Sequence, residues 1–268
     1  MKKYIPTLVG LAALAFANTS RAAVFAAEVI EYQPGSGASL TDPSAALGRP
    51  DPIVGEGSGF DHPLDPFNPH YEADQVVQIG EGGHLVLRLS NYVEINAGIA
   101  QIGIFGNAGL IDADFPNGVT ADPVGTFGVD PVTVSFSLDG NTWFGSTNVD
   151  LEQPTSFYTD LAASAPADFG QNHALSLTDY AGKTLAEIQS LLGGSAGGNW
   201  IDIGTTAIPR AAFLRLEVPD DGDANTFITA EIDAIAIENR AVGAPIPEPS
   251  APLLTLAVIL FASIRRRR

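Results

Sequence analysis

The chain has 268 residues, a formal net charge of −18, a sequence pI near 4.3 and no cysteine. That length can bury a core without covalent staples, and the missing thiols exclude a disulfide scaffold, thiolate zinc or iron–sulfur sites and a cysteine nucleophile. Between Ala22 and Pro247 six basic residues stand against thirty acids, a formal −24, and a surface of that sign repels phosphate backbones and excludes nucleic acid as a partner.

In chain order, Lys2 and Lys3 precede an uncharged, mainly apolar run from Ile5 to Ala17, with small residues following at Ser20 and Ala22. This is the layout of a secretory signal over 1–22, with cleavage after Ala22 and with Ala26 or Ala27 as alternatives. The thirteen-residue run spans about 20 Å as a helix, short of a ~30 Å hydrocarbon core, which argues against a permanent anchor.

Strand signals dominate the next 220 or so residues, 23–240, which read as one domain. They fall at Phe25 to Tyr32, Gln75 to Ile79, His84 to Leu89, Ile99 to Phe105, Val132 to Leu138, Ala212 to Val218 and Phe227 to Ile237. Alternation sets Leu85, Leu87 and Leu89 on one face, and likewise Val132, Val134, Phe136 and Leu138. Leu214, Leu216 and Val218 form a third inward row; Ile228, Ala230, Ile232, Ala234 and Ala236 form a fourth. One helix is predicted at Lys183 to Leu192, with Thr184 as N-cap, Glu187 completing a capping box and Gly193-Gly194 ending it. Pro/Gly-rich loops are expected at 41–69, 109–131 and 193–199. The pattern predicts an all-β, jelly-roll-type antiparallel sandwich with one short helix, flanked by the signal helix and a C-terminal hydrophobic helix.

Few residues point to chemistry. Asp139-Gly140 is a hairpin turn signal, with Trp143 beyond it expected in the core. Asp221, Asp223 and Asn225 offer oxygens at alternate positions, as in a calcium loop. Thr226 stands where the loop glycine belongs and Ile232 where its final Glu belongs, so the segment is either a plain acidic turn joining two strands or a structural calcium site, with Asp112 and Asp114 as candidate helpers. Asp61, His62, Asp65, Asn68 and His70 are metal-capable residues in a proline-rich loop that lacks a rigid element to fix their spacing. No phosphate loop, dinucleotide fingerprint or nucleophile elbow occurs. No catalytic residue is assigned, and a non-enzymatic role is expected. Exposed aromatics such as Tyr71, Phe115 or Phe157 at the loop ends would indicate binding; convergent acids in a deep pocket would indicate the alternative, an extracellular hydrolase on a β-sandwich.

The chain closes with Pro247-Glu248-Pro249, an uncharged apolar run from Ala251 to Ile264, and Arg265, Arg266, Arg267 and Arg268. The run is short for a span, but terminal arginines can snorkel and act as a membrane stop on the cytoplasmic side. This three-part arrangement at 247–268, reached through a linker at 241–246, resembles the PEP-CTERM sorting signal. The resemblance implies export by Sec-type machinery, transient anchoring in the inner membrane and processing near the motif by an exosortase. The destination implied is the cell surface or extracellular matrix.

Within the domain, four segments resemble discoidin-type, galactose-binding-like domains. These are the turn Asp42-Pro43-Ser44-Ala45-Ala46-Leu47-Gly48-Arg49-Pro50-Asp51, the strand led by Gly82-Gly83, the hairpin from Val134 to Trp143, and the closing pair Phe213–Val218 with Glu231–Ile235. The usual disulfide of that family is absent and the loops are longer than its compact pattern. Together the two resemblances imply a structural or adhesive surface protein, with extracellular polysaccharide as the candidate ligand.

Overall fold

The computed structural model describes residues 22–55, 61–95, 98–128, 131–150, 167–203, 208–220, 222 and 228–248. Its strands are β1 (Val24–Gln33), β2 (Ile53–Val54), β3 (His62–Pro63), β4 (Val77–Gly80), β5 (His84–Glu94), β6 (Ile102–Gly106), β7 (Gly109–Leu110), β8 (Thr126–Phe127), β9 (Pro131–Ser137), β10 (Trp143–Asp150), β11 (Asn199–Ile201), β12 (Arg210–Glu217), β13 (Thr229–Ile237) and β14 (Val242–Pro245). The one α-helix among the described residues is α1 (Leu185–Leu192).

Ten of the strands form one antiparallel sheet in the order β10-β9-β12-β5-β1-β13-β6-β11, with β14 added to β5 and β4 to β13. β1 joins its two halves. Val24 and Phe25 pair with β13, and from Ala26 onward the strand pairs with β5. The sheet curls, so that inward rows from both halves meet in one core: Leu85, Leu87 and Leu89 of β5, Val134 and Phe136 of β9, and Leu214 and Leu216 of β12 pack with Ile79, Ile102, Ile104 and Ile232. The protein is thus all-β and sandwich-like. Every predicted strand is present, and β5, β9 and β12 each carry a period-two apolar row that a covered sheet face buries.

Two inward rows depart from the expected alternation. Leu138 lies past the end of β9 and is exposed. In β13 the register against β6 shifts between Ile232 and Ala234. This bulge reverses the faces beyond it: Ile235 and Ile237 join Ile232 in the main core, while Ala234 and Ala236 face a second cluster with Phe105 and Phe169. Trp143, expected in the core, is only half-buried, since it opens the edge strand β10.

α1 begins as its sequence dictates. Thr184 Oγ1 accepts the Glu187 N–H, Glu187 Oε2 accepts the Thr184 N–H, and Gly193 ends the helix at φ 58°. Ile188 and Leu192 bury against Leu110 and Tyr180 in a third small cluster. Residues 241–246, expected as a linker, carry β14 instead, held to β5 at Val242↔Val93 and Pro245↔Asn91. Residues 1–21 of the predicted signal segment and the apolar run 251–264 with its four arginines lie outside the described residues, among which no helix is long and apolar enough to cross a membrane.

Candidate functional site

The loop from Asp61 to Tyr71 is built around one carboxylate. Asp65 Oδ1 accepts the N–H groups of Phe67 (2.7 Å) and Asn68 (3.0 Å), and the Asn68 amide donates to both of its oxygens. Burial pushes the Asp65 pKa up, and these hydrogen bonds only partly offset it. The Leu110 N–H donates to the Pro66 carbonyl at 2.6 Å and so fastens this turn to β7. β7 pairs with β8, which brings in Phe127. A Cβ on Gly109 would stand 2.4 Å from Phe127 Cζ, so glycine is what lets the ring lie flat on the strand.

These elements enclose a cavity of about 250 Å³ lined by Val54, His62, Phe67, Asn68, Pro69, His70, Tyr71, Asn107 and Phe127. Tyr71 and Phe127 are half exposed at 49% and 42%, so both rings are open to solvent at the cavity. The lining combines three rings, two amides and two imidazoles, and contains no carboxylate.

His70 forms part of this wall and ties it to the sheet. It is fully buried, and its Nδ1 lies 2.7 Å from Oδ2 of Asp233, the residue at the β13 bulge. Burial alone would lower the His70 pKa. The Asp233 hydrogen bond and charge, with added help from Asp51, outweigh it and raise the value. Burial likewise raises Asp233, against the pull of His70. Nε2 makes no well-formed hydrogen bond, although the Asp51 backbone is close enough to favour the protonated ring. Asn107 Oδ1 is also buried without a hydrogen-bond partner.

The structure therefore brings His62, Asn68, His70 and Tyr71 to one cavity but sets Asp65 to the turn itself. Among the described residues no group of three His, Asp or Glu side chains converges as a metal site. The His70–Asp233 pair spans 163 positions and nothing in the local sequence announces it. The closing strand carries two buried acids, Glu231 and Asp233, and its sequence does not say which of them meets a histidine. Phe115 is 85% exposed on the loop between β7 and β8; Phe157 lies outside the described residues.

The calcium candidates Asp221, Asp223 and Asn225 lie outside the described residues. The turn enters through Asp220, whose Oδ1 accepts the Gly222 N–H at 2.9 Å, beside a second cavity of about 330 Å³ between Gly82, Gly83, Thr133 and Glu217. Asp112 already accepts the N–H groups of Asp114, Gly118 and Val119, and these backbone bonds hold its pKa low. Asp139 caps the β9–β10 turn: backbone N–H groups of Thr142 and Asn141 bring its pKa down to about 2. Of the tail, Pro247 and Glu248 are described, and Pro249 and Arg265 to Arg268 are not.

No protein-family profile matches the chain, and no curated protein does. Among solved structures it is similar to the C-terminal domain of a chitobiase from Bacteroides fragilis, at 10% identity, covering 82% of this chain and 95% of that one. The TM-score is 0.30, too slight a likeness to define a fold or a function.

Proposed function

We propose that this chain is an exported cell-surface or extracellular-matrix protein whose β domain binds polysaccharide without cleaving it. The observation that carries the reading is the pair of half-exposed rings, Tyr71 and Phe127, at a small cavity walled by amides and imidazoles. Sugar rings present an apolar C–H face and an equatorial rim of hydroxyls. Aromatic faces take the first and neutral amides the second. The lining lacks carboxylates, which supports binding over hydrolysis by paired acids. A net charge of −18 and the scarcity of basic side chains point to a neutral glycan. The domain is read as a discoidin-like jelly roll. The tail Pro247-Glu248-Pro249, with the apolar run and Arg cluster, is read as a PEP-CTERM signal processed by an exosortase after Sec-type export and transient inner-membrane anchoring.

A glycan array probed with the purified domain, with and without calcium, tests the binding. Retention on neutral polysaccharide should fall at least about tenfold in Tyr71→Ala and in Phe127→Ala, with both variants still folding cooperatively and Phe127→Ala losing some stability because its ring lies on β7. Equal retention by wild type and both variants would remove the cavity from consideration.

A further inference from the structure

β14 ends where the tail motif begins. Beyond its pairing with β5, the Asn91 amide donates to the Gly243 carbonyl at 2.9 Å and the Ile246 N–H donates to the Ser90 carbonyl at 3.0 Å. Ile246 also packs against the main core. Two residues on, Arg88 Nη2 reaches Glu248 Oε2 at 3.4 Å, while Arg88 Nε is fixed by Glu28 at 2.6 Å. The Arg88 side chain is 9% exposed and that of Glu248 87%, so the domain supplies the rigid half of the contact and the tail the open half. From Ile246 to Ala251 the chain can reach at most about 18 Å, so almost no slack separates the sheet from the apolar run.

We propose that β14 is a strap that withholds the Pro247-Glu248-Pro249 motif from its processing peptidase, so that cleavage follows only when the strap peels from β5. The inference rests on the reading of 247–268 as a sorting tail. A peptidase threads residues on both sides of the scissile bond through its cleft in extended form, mostly by backbone hydrogen bonds. Here the residues preceding the motif already spend those bonds on β5, and Arg88 adds a weak solvent-exposed contact to the Glu248 carboxylate. A four-residue edge strand opens locally at far lower cost than the whole domain, so the strap sets a rate and does not block cleavage outright.

The chain has no cysteine, so Asn91→Cys with Pro245→Cys places a single designed disulfide across one paired position. In native cells the oxidised double variant should stay full length in the membrane fraction, processed at least about tenfold more slowly than wild type by intact mass. A reducing agent should restore processing, and Asn91→Ala should speed it. In the wild-type protein the Ile246 amide should exchange at least about tenfold more slowly than in a free peptide. Wild-type processing rates in a folded, oxidised double variant, or free exchange at Ile246, would overturn the strap. A wild-type chain that is never cleaved near the motif would overturn the sorting reading itself, and the strap with it.

Discussion

His70 and Asp233 show how one residue pair links the candidate site to the sheet. Both pKa values are raised, so the folded chain binds more protons at this pair than the unfolded chain does. Stability from His70 is fully present below its unfolded value of 6.5 and is lost as pH rises through the higher folded value. Asp233 acts with the same sign, over a range that begins at its unfolded value of 3.8. His173 opposes them: burial lowers its pKa, so its contribution is lost as pH falls. The pair is therefore isolated by difference. The melting-temperature gap between wild type and Asp233→Asn should be larger at pH 6 than at pH 8.5. A gap independent of pH would mean that the pair carries no shared proton.

At the scale of elements, local signals and packing separate cleanly. Thr184→Ala removes the side-chain cap of α1 and should cost about 1 kcal/mol in chemical denaturation. Phe136→Ala, at 2% exposure in the main core, should cost about 3–5 kcal/mol, since a cavity remains where the ring packed. Phe136 pairs with Phe144 in β10 and with Leu214 in β12, so the loss falls between two paired strands, one in from the sheet edge. The β13 bulge is an element that alternation could not announce. A strand whose apolar residues occupy both parities, Ile232 and Ile235 alike, satisfies either face until a partner strand fixes the register.

For the whole molecule the dominant fact is charge. A formal −18 stores self-repulsion that any added salt screens, so melting temperature should rise with sodium chloride. If the acidic turn holds calcium, millimolar calcium should raise it further at equal ionic strength, by the linkage expected for a ligand of the native state alone. Asp223→Ala should erase that excess. Equal responses to the two salts would reduce the effect to screening.

What the sequence determined by itself was whatever a few neighbours decide. Seven strands, the capped helix, the Asp139-Gly140 turn and the buried rows led by Leu85, Val134 and Leu214 each follow from period, cap or turn chemistry. The short pairs β2–β3 and β7–β8 stayed hidden in Pro/Gly-rich loops, because strands of two residues have no period to read. β14 was hidden by its own composition: Val-Gly-Ala-Pro reads as a linker and is a strand only because β5 extends to Glu94 and offers an open edge. The candidate site was legible only in part: His62, Asn68 and His70 stood out as one polar loop, but as metal-capable residues and not as a cavity wall. Tyr71 was visible as an aromatic, but Asn107 and Phe127 come from other segments, and His70 acquires its role from a carboxylate far along the chain. Pairing across such distances is decided by which strands share an edge and which loops the closed sheet presses together. That information resides in the packing of the complete core and not in any local window of residues.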